Sequence, residues 1–580
     1  MIQRKSGRLQ RYRGGLLAAL LLATGFAPVA RAADPHPLLG LLADELQREM
    51  QGLETPDGTK PYFLQYTVTD ESRCNVSAEL GALADEQSGR QRALDVDLRC
   101  GDYALDNTRQ IRGRGFSGGF DDGNNAANLP LNGDPVATRQ AIWLVTDQTF
   151  KDAVKRLAQV KANLSVKVEE EDQSADFSKE KPSDDIEPWL DQPVDTAPWV
   201  ARIKKLSERF RAYPDIYDSR VTLTGRVTNT LLVNTEGSKL QYGRGWWRIG
   251  IQASTIADDG MELWQYKAFD AHTPDGLPDD ATIAKAVDEV IKDVRALRAA
   301  PIVEPYTGPA ILRNRATGVF FHEIFGHRIE GHRQKDVEEG QTFAKKLGQE
   351  VLPKFLTVVD DPSKKVFDGI ELNGYYTYDD EAVPAQPVTL VDDGTLETFL
   401  MSRSPTRGVE HSNGHGRRQP GARVVARQGN LIVESDRQMP FDELRAKLLE
   451  ECRKQNKDYG LLFEDISGGF TTTRRYGPQA FKVLPIIVYK VFVDGRPDEL
   501  VRGVDIVGTP LTCFSRILAT GNDPDVFNGV CGAESGSVPV SAIAPSILVE
   551  QIEVEKKQKA QDRPPILPAP IALEKTSDPS

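Results

Sequence analysis

Residues 321–332 read FHEIFGHRIEGH, a stretch in which two histidines and a glutamate lie among apolar residues and glycines. The common helical metalloprotease motif, H-E-x-x-H, places its histidines four residues apart on one helix face. His322 and His327 are five residues apart, so a regular α-helix would point them about 140° away from each other. Convergence on one ion therefore predicts a π-type turn or an unwound helix at Gly326. The alternative is a helix with two unrelated surface histidines.

A catalytic zinc site needs three protein ligands and one open position for water. If His322 and His327 are two of these ligands, Glu323 is the adjacent carboxylate that can accept a proton from that water. Glu330, three residues after His327, is either a hydrogen-bond partner of a ligand ring or a solvated acid at a helix end. The residues alone leave the third ligand open among several donors: Glu330, His332, His411, His415 and a cysteine.

The first 32 residues have the features of a secretion signal. A segment with five lysines and arginines precedes a short apolar run at residues 16–23, and Ala30-Arg31-Ala32 has the small-residue pattern of a cleavage site. The apolar run is too short to span a bilayer, and no later stretch is long enough. We therefore expect residues 1–32 to be a signal peptide and the mature chain to be periplasmic or secreted, without a membrane span.

The charge of the chain bears on its partners. The 580 residues have a net charge of −13 and a pI near 5.3, and no basic stripe is evident. Nucleic acid is therefore not an expected partner, because DNA and RNA binding relies on clustered positive charge. An exported acidic protein would also not meet chromosomal DNA.

Apolar periodicity predicts an α+β fold with two domains. Helical spacing recurs in four N-terminal segments: 37–53, 134–164, 196–213 and 279–297. Strand-like segments between them indicate a mixed α/β domain over residues 33–303. Within it, an acidic segment near residues 169–193 is poor in large apolar residues and is predicted to be an exposed excursion. Residues 304–554 are predicted to form a β-rich catalytic domain that carries the histidine helix, and residues 555–580 a disordered Pro-rich tail.

The cysteine count is odd, which leaves at least one thiol unpaired in an oxidising compartment. The five cysteines are Cys74, Cys100, Cys452, Cys513 and Cys531. Cys74 and Cys100 lie in two strand-like segments and could bridge neighbouring strands. A cysteine that binds a metal as thiolate would account for the odd count.

Residues 322–331 match the pattern H-E-x-x-G-H-x-x-E-G, and the chain thereby resembles the TldD/PmbA family of zinc metalloproteases, in particular its metal-bearing, TldD-like subunits. The matching positions are His322, Glu323, Gly326, His327, Glu330 and Gly331. The resemblance continues in order through further segments: 393–403, 413–418, 502–508, 521–523, 529–532 and 538–540. It extends over roughly residues 305–554 and is loose in the N-terminal part.

The resemblance implies that Cys531 is the third ligand of a His/His/Cys site that holds one Zn²⁺ per active subunit. It further implies a zinc metallopeptidase in which Glu323 activates the zinc-bound water to hydrolyse peptides or unfolded protein segments. Similar proteins combine an α/β N-terminal domain with a β-rich catalytic domain, and they form dimers of one chain or of two related chains. This sequence departs from the family pattern at Ala533, at Ser535-Gly536 and at His415, so its substrate contacts are expected to differ.

Several residues near the motif have two possible roles. Arg417 and Arg418 are candidates for binding a substrate carboxylate or stabilising an oxyanion, whereas a structural ion pair is the more common role. His411 and His415 could line the cavity or face solvent. A second function compatible with the residues is a non-catalytic subunit that binds a peptide or assembles with a partner. The intact Glu323 and the complete set of implied ligands favour the peptidase.

Overall fold

The computed structural model describes residues 33–111, 125–165, 172–191, 195–336, 338–475, 481–508, 514, 516–557 and 564–571. The predicted signal peptide, residues 1–32, lies outside the described residues. The predicted α+β class is confirmed, because strands and helices alternate before residue 300 and strands predominate after it.

Seven α-helices occur in the part of the chain that the structure describes. They are α1 (Pro37–Gly52), α2 (Pro135–Ser165), α3 (Ala197–Ser207), α4 (Asp280–Ala299), α5 (Asn314–Ile324), α6 (His332–Lys335) and α7 (Phe441–Lys454). Short 3₁₀ turns occupy Glu208–Ala212, Pro274–Gly276 and Gly326–Arg328. The four predicted helical segments correspond to α1–α4. The helix α7 was not predicted, although Leu444, Leu448 and Cys452 recur at helical spacing and are buried.

The first seven strands form one sheet. They are β1 (Pro61–Glu79), β2 (Ala82–Cys100), β3 (Ala126–Asn128), β4 (Asp184–Ile186), β5 (Asp218–Asn234), β6 (Lys239–Ile256) and β7 (Glu262–Ala271). The strand order is β3-β2-β1-β5-β6-β4, and β7 also pairs with β6. All pairings are antiparallel except that of β4 with β6.

The remaining strands follow residue 305. They are β8 (Tyr306–Leu312), β9 (Leu356–Asp360), β10 (Val366–Phe367), β11 (Ile370–Glu371), β12 (Val388–Asp392), β13 (Thr395–Leu396), β14 (Gly416–Arg417), β15 (Val425–Ala426), β16 (Asn430–Ser435), β17 (Gln438–Met439), β18 (Tyr459–Thr471), β19 (Phe481–Phe492), β20 (Glu499–Val501), β21 (Val504–Gly508), β22 (Ile517–Gly521), β23 (Asp525–Ala533), β24 (Gly536–Ala544) and β25 (Ile547–Lys556).

Two larger sheets contain most of these strands. An eight-stranded sheet has the order β17-β22-β25-β21-β19-β18-β8, with β20 beside β19 and a further pairing of β8 with β25. A six-stranded sheet has the order β13-β12-β9-β16-β24-β23. The helix α5 packs against β18 of the first sheet and β24 of the second, so it lies buried between the two.

The helices α1–α4 cover one face of the seven-stranded sheet. Alternate residues of a strand share a face, and Leu64 and Tyr66 pack against α1 and α2 while Val76 packs with α3 and α4. In α4, apolar residues spaced at helical intervals from Ile283 to Val294 are buried, as predicted, and the Asp279 side chain accepts a hydrogen bond from the Thr282 amide at 2.8 Å. The opposite face of the seven-stranded sheet packs against residues from the later part of the chain.

The segment predicted to be an exposed acidic excursion is partly buried in its described part, residues 172–191: residues 176–178 are buried against the sheet and β4 pairs with β6, whereas Asp184 and Asp191 are exposed. Phe177 is 1% exposed, and the guanidinium carbons of Arg99 and Arg403 lie 3.6 and 3.9 Å from its ring centroid. Asp176 is also buried and accepts a hydrogen bond from Arg109 at 2.9 Å. The expected exposure fails at Asp176 and Phe177, because Arg109 binds Asp176 and two arginines cover the Phe177 ring, which the local composition does not reveal.

The possible disulfide between Cys74 and Cys100, which the sequence left open, is not present. Cys74 and Cys100 are free and buried, and they lie toward opposite ends of the β1–β2 pair, opposite Ser88 and Pro61 respectively. Cys513 lies outside the described residues.

The predicted tail begins slightly later than residue 555, because β25 continues to Lys556. Residues 558–563 and 572–580 lie outside the described residues. Among the helices of the described residues, none combines the length and apolar character needed to cross a membrane.

We expect Phe177→Ala to lower the free energy of unfolding by about 3–5 kcal/mol, because it removes a fully buried aromatic ring from the contact between residues 172–191 and the sheet. Chemical denaturation measures this change. Leu144→Ala is the control, since Leu144 is 59% exposed on α2 and should change stability by less than about 0.5 kcal/mol. Equal, small effects of the two substitutions would show that the segment is not packed in solution.

Candidate metal centre

The helix α5 brings the first histidine and the glutamate into the interior. It begins directly after β8, and every residue from Ala316 to Ile324 is buried. The α-helix ends at Ile324, and the 3₁₀ turn Gly326–Arg328 follows it. The predicted departure from a regular α-helix near Gly326 is therefore confirmed, as an unwound helix end rather than a π-type turn.

This helix end lets the two histidines face each other. The ring centroids of His322 and His327 are 5.0 Å apart with an interplanar angle of 75°. Gly326 allows the close approach of Gln428, because a Cβ at this position would lie 1.9 Å from Gln428 Oε1. Gln428 Nε2 in turn donates a hydrogen bond to the His322 carbonyl at 3.4 Å. Any side chain at residue 326 would push this turn away from its neighbour.

The strand β23 supplies a sulfur donor. Cys531 Sγ lies 3.3 Å from His327 Nε2, and the donor atoms of Cys531, His322 and His327 all lie within 4.8 Å of one another. Tetrahedral zinc, with bonds of about 2.0–2.1 Å to nitrogen and 2.3 Å to sulfur, holds such donors about 3.5 Å apart. Two imidazoles and a thiolate are also a donor set that zinc favours over magnesium or manganese. The residues present therefore fit zinc.

The three donors are electrostatically coupled. Burial opposes charge on Cys531, but His327, His322 and Arg427 hold the pKa of its thiol well below its usual value. Burial likewise opposes charge on His327, yet Cys531 and Glu330 raise its pKa well above the usual value. The pKa of His322 is raised by the same thiolate against the effect of burial. The cysteine is thus held in the deprotonated form that binds metals.

Glu323 lies beside the first histidine and lines the adjacent cavity. Burial raises its pKa, and the neighbouring His322 and His327 offset only part of that rise. The strand β18 passes very close to it, since a Cβ at Gly469 would lie 2.7 Å from Glu323 Cγ. The carboxylate is therefore confined between α5 and the strand.

Glu330 occupies the first of its two predicted positions, beside a ligand ring. Its Oε1 lies 3.3 Å from His327 Nδ1, and its Oε2 accepts a hydrogen bond from Arg333 Nε at 2.7 Å. Although burial opposes its charge, Arg333 and His327 lower the pKa of Glu330 to about 2. An ionised carboxylate at this distance attracts the His327 ring electrostatically, although the two facing atoms form no hydrogen bond in the structure.

Arg427, which the sequence analysis did not identify, connects the two halves of the site. It is fully buried, and its Nη2 donates to the Cys531 carbonyl at 2.8 Å. Its Nη1 donates to Ser535 Oγ at 2.8 Å and to the Gly536 carbonyl at 3.0 Å, while its Nε lies 3.6 Å from Glu330 Oε1. One guanidinium thereby holds the β23–β24 hairpin and lies close to the carboxylate beside His327. The available signal was an arginine within a short segment of apolar and glycine residues, Val425-Ala426-Arg427-Gln428-Gly429.

The other candidate third ligands lie elsewhere. His332 pairs with Glu534, and Arg333 Nη2 donates to the same carboxylate at 2.7 Å. The donor atoms of Glu330, His332 and Glu534 also lie within 4.8 Å of one another, but the Arg333 guanidinium already binds both carboxylates. This second group is therefore an ion-pair network rather than a cation site.

The predicted substrate contacts His415, Arg417 and Arg418 do not line the cavity. His415 is fully buried, contrary to the solvent-facing alternative, and its Nε2 lies 3.2 Å from Asp360 Oδ1. Arg417 donates to the carbonyls of Gln428 and Pro539 at 2.5 and 2.8 Å.

Arg418 pairs with Asp95 of the seven-stranded sheet at 2.8 Å. Arg417 and Arg418 therefore have structural roles. Their guanidinium groups bind backbone carbonyls and a carboxylate inside the protein and so connect separate segments. His411, by contrast, has an exposed side chain beside Glu180.

The donors open onto a cavity of 1190 Å³. One wall is β23, every residue of which contributes, and another is the Gly-rich end of β18. The seven-stranded sheet closes a further side through β7 residues that include Trp264 and Tyr266. The candidate site is therefore enclosed by elements from the beginning and the end of the chain.

Comparison with known proteins gives one matching family and several relatives. Residues 305–556 match the family described as PmbA/TldA metallopeptidase C-terminal domain. A metalloprotease of Archaeoglobus fulgidus is 30% identical over 239 residues, which are 41% of this chain and 51% of that protein. A metalloprotease TldD homolog of Haemophilus influenzae is 28% identical over 42% of this chain and 48% of its own length.

A zinc metalloprotease TldD homolog of Saccharolobus solfataricus is 24% identical over 42% of this chain and 51% of that protein. The chain thus spans about half the length of these three relatives. The solved structure of TldE from Thermococcus kodakarensis aligns with a TM-score of 0.57 at 12% identity, covering 89% of this chain and 100% of the other. At this identity the likeness concerns the fold.

We expect Arg427→Lys to weaken zinc binding about 10- to 100-fold, because lysine keeps the charge but cannot hold the Cys531 carbonyl and the hairpin at once. Competition with a chromophoric chelator measures the affinity. Arg417→Lys is the matched control: Arg417 is also buried and binds carbonyls, but it contacts none of the three donors. Equal losses in both variants would mean that any buried arginine in this region affects the site through general stability.

Proposed function

We propose that this chain, whose residues 305–556 form a C-terminal domain of the PmbA/TldD family, is a zinc-dependent peptidase. The observation that carries the proposal is the convergence of His322, His327 and Cys531, beside Glu323, on the wall of one cavity. The names of the relatives, metalloprotease and zinc metalloprotease, support the same activity.

The ligands would be two imidazole rings and one thiolate. His327 would bind through Nε2, since its Nδ1 faces Glu330, and Cys531 would bind through Sγ. Three protein donors are the number found in catalytic zinc sites, where the fourth position stays open. Bound zinc supplies a Lewis acid that polarises a carbonyl and lowers the pKa of a bound water to about 7.

Glu323 would act as the general base. Its carboxylate lines the cavity next to a ligand, and its raised pKa makes it a better proton acceptor near neutral pH than an exposed glutamate. It would take a proton from the attacking water at a carboxylate oxygen and give it to the leaving amine. Glu330 and Arg333 would keep the His327 ring oriented during this transfer.

The substrate would be an extended peptide or an unfolded protein segment. The strand β23 is the last strand of its sheet and pairs only with β24 among the described strands, so its second edge is open beside Cys531. An extended peptide can add to such an edge by backbone hydrogen bonds, which gives little sequence preference. The enclosing sheets would exclude folded proteins. Efficient cleavage of native globular proteins would contradict this mode of binding.

The cellular setting and assembly are part of the proposal. The basic and apolar pattern of residues 1–32 supports export to the periplasm or beyond. The family resemblance supports a homodimer or a heterodimer with a related chain. Fractionation of cells and the mass of the purified protein in solution test these two points.

We expect Glu323→Gln to lower the rate of peptide hydrolysis about 10²- to 10⁴-fold with unchanged zinc content, because the amide cannot accept the proton. Hydrolysis of an unfolded peptide and elemental analysis measure the two quantities. Glu371→Gln is the control, since Glu371 lines the same cavity from β11. Cleavage at the wild-type rate by Glu323→Gln would contradict the mechanism. Wild-type protein that binds peptides without cleaving them would favour the non-catalytic subunit.

We expect Cys531→Ala to lose most of the bound zinc and the activity, because two imidazoles alone hold the ion weakly. Elemental analysis of the purified variant, together with the peptide assay, measures the loss. Cys452→Ala provides the comparison: Cys452 is a buried free cysteine that packs against Leu444 and Leu448, away from the donors. Full zinc content in Cys531→Ala would exclude the sulfur as a ligand.

A further inference from the structure

Arg315 lies near the start of α5 and lines the same cavity as the metal donors. It is seven residues before His322, and seven helical residues return to within about 20° of the same face after a rise of about 10 Å. Val319, between them, lines the cavity as well. One face of α5 therefore presents a cation at one end of the cavity and a metal donor further along.

The guanidinium of Arg315 has no anionic partner among the described residues. Its Nε is buried without a hydrogen-bond partner, and no carboxylate oxygen of those residues lies within 4.0 Å of its nitrogens. Asp465 lines the same cavity, and Arg315 offsets part of the rise in pKa that burial imposes on this carboxyl, but the two charged groups form no direct pair. The residue is half-buried, so water satisfies its five donors only in part.

Two other arginines that line the cavity, Arg248 and Arg333, pair directly with carboxylates. Arg248 donates twice to Asp270, at 2.8 and 3.0 Å. Arg333 donates to Glu330 and to Glu534, both at 2.7 Å. Arg315 differs from them because it faces the cavity with no carboxylate oxygen of the described residues within 4.0 Å, so its guanidinium can still pair directly with an anionic ligand.

The strand β23 gives a second estimate of the distance between the Arg315 guanidinium and the metal donors. The Arg315 guanidinium carbon lies 5.7 Å from the ring centroid of Phe527, whereas Cys531 lies with the metal donors. Phe527 and Cys531 are four residues apart and therefore on the same face of the strand, about 13 Å from each other. Helix and strand thus agree that the cation and the metal donors are separated by about 10–13 Å along the cavity.

We infer that Arg315 binds a carboxylate of the peptide substrate about three or four residues from the bond that is cleaved, since an extended chain advances about 3.3 Å per residue. A planar guanidinium binds a carboxylate with two parallel hydrogen bonds, which fixes both the position and the register of the chain. The carboxylate is either that of the peptide C-terminus or that of an Asp or Glu side chain. The inference rests on the proposed peptidase activity and adds a substrate class to it.

The test uses a neutral unfolded peptide in two series. In the first, the C-terminus is a free acid or an amide; in the second, the C-terminus is amidated and a single Asp is moved along the sequence. We expect wild-type protein to cleave peptides with the carboxylate about three or four residues from the scissile bond about 10- to 100-fold more efficiently, measured as kcat/KM. A preference confined to the first series identifies the C-terminal carboxylate, and one in the second identifies the side chain.

Variants separate the subsite from general effects. Arg315→Gln should abolish the preference while leaving zinc content and cleavage of the neutral amidated peptide unchanged, and Arg315→Lys should restore part of it. Arg474→Gln is the matched control, because Arg474 also lines the cavity but is exposed. Loss of the preference in Arg474→Gln to the same extent would overturn the inference in favour of a diffuse positive potential.

Binding measurements test the Arg315 subsite independently of the proposed peptidase activity. Zinc-loaded Glu323→Gln protein should bind fluorescent peptides with the carboxylate about 10- to 100-fold more tightly than neutral ones, and Arg315→Gln in this background should remove the difference. If wild-type protein cleaves no peptide but the difference in affinity between acidic and neutral peptides remains, the proposed peptidase activity is overturned and the Arg315 subsite stands. Equal affinity for acidic and neutral peptides would overturn the subsite alone.

Discussion

The centre of this protein depends on balancing charges that are buried together. A thiolate, an ionised glutamate and two arginines lie within one cluster around His327, and each would be costly alone inside the protein. Glu330 is held by Arg333 and approached by Arg427, and Arg427 also holds the carbonyl of Cys531. The cluster joins α5, the strands near residue 427 and the β23–β24 hairpin. A donor 204 residues away from His327 can therefore reach it only when the whole set assembles.

Pairing of buried opposite charges also explains the contact between the early and late parts of the chain. The described residues 172–191 are acidic, yet Asp176 is buried because Arg109 binds it, and Phe177 lies between two guanidinium groups. Arg418 joins Asp95 across the same interface. The net charge of −13 thus conceals many internal pairs. The acidic composition of residues 172–191 therefore does not mark a wholly solvated segment.

Close backbone approach gives the site its shape. Gly326 and Gly469 leave room for Gln428 and for Glu323 respectively, so the turn that carries His327 and the Glu323 carboxylate are confined by neighbours outside their own helix. The open edge of β23 and the Arg315 face of α5 then run along the same cavity. His322, His327 and Cys531, the outer edge of β23 and Arg315 consequently line one cavity, which is the arrangement that the proposed binding of an extended peptide uses.

The sequence by itself determined the features that depend on local spacing: α4 and its buried stripe, the long antiparallel strands, and the five-residue separation that forces the helix to end near Gly326. Resemblance of short motifs added Cys531. Tertiary structure alone decided that Glu330 lies beside His327, that Arg427 rather than Arg417 or Arg418 contacts the Cys531 backbone, and that Asp176 and Phe177 are buried. The physical reason is that periodicity is local, whereas the role of a charged side chain depends on which opposite charge is buried beside it. That partner is usually distant in sequence.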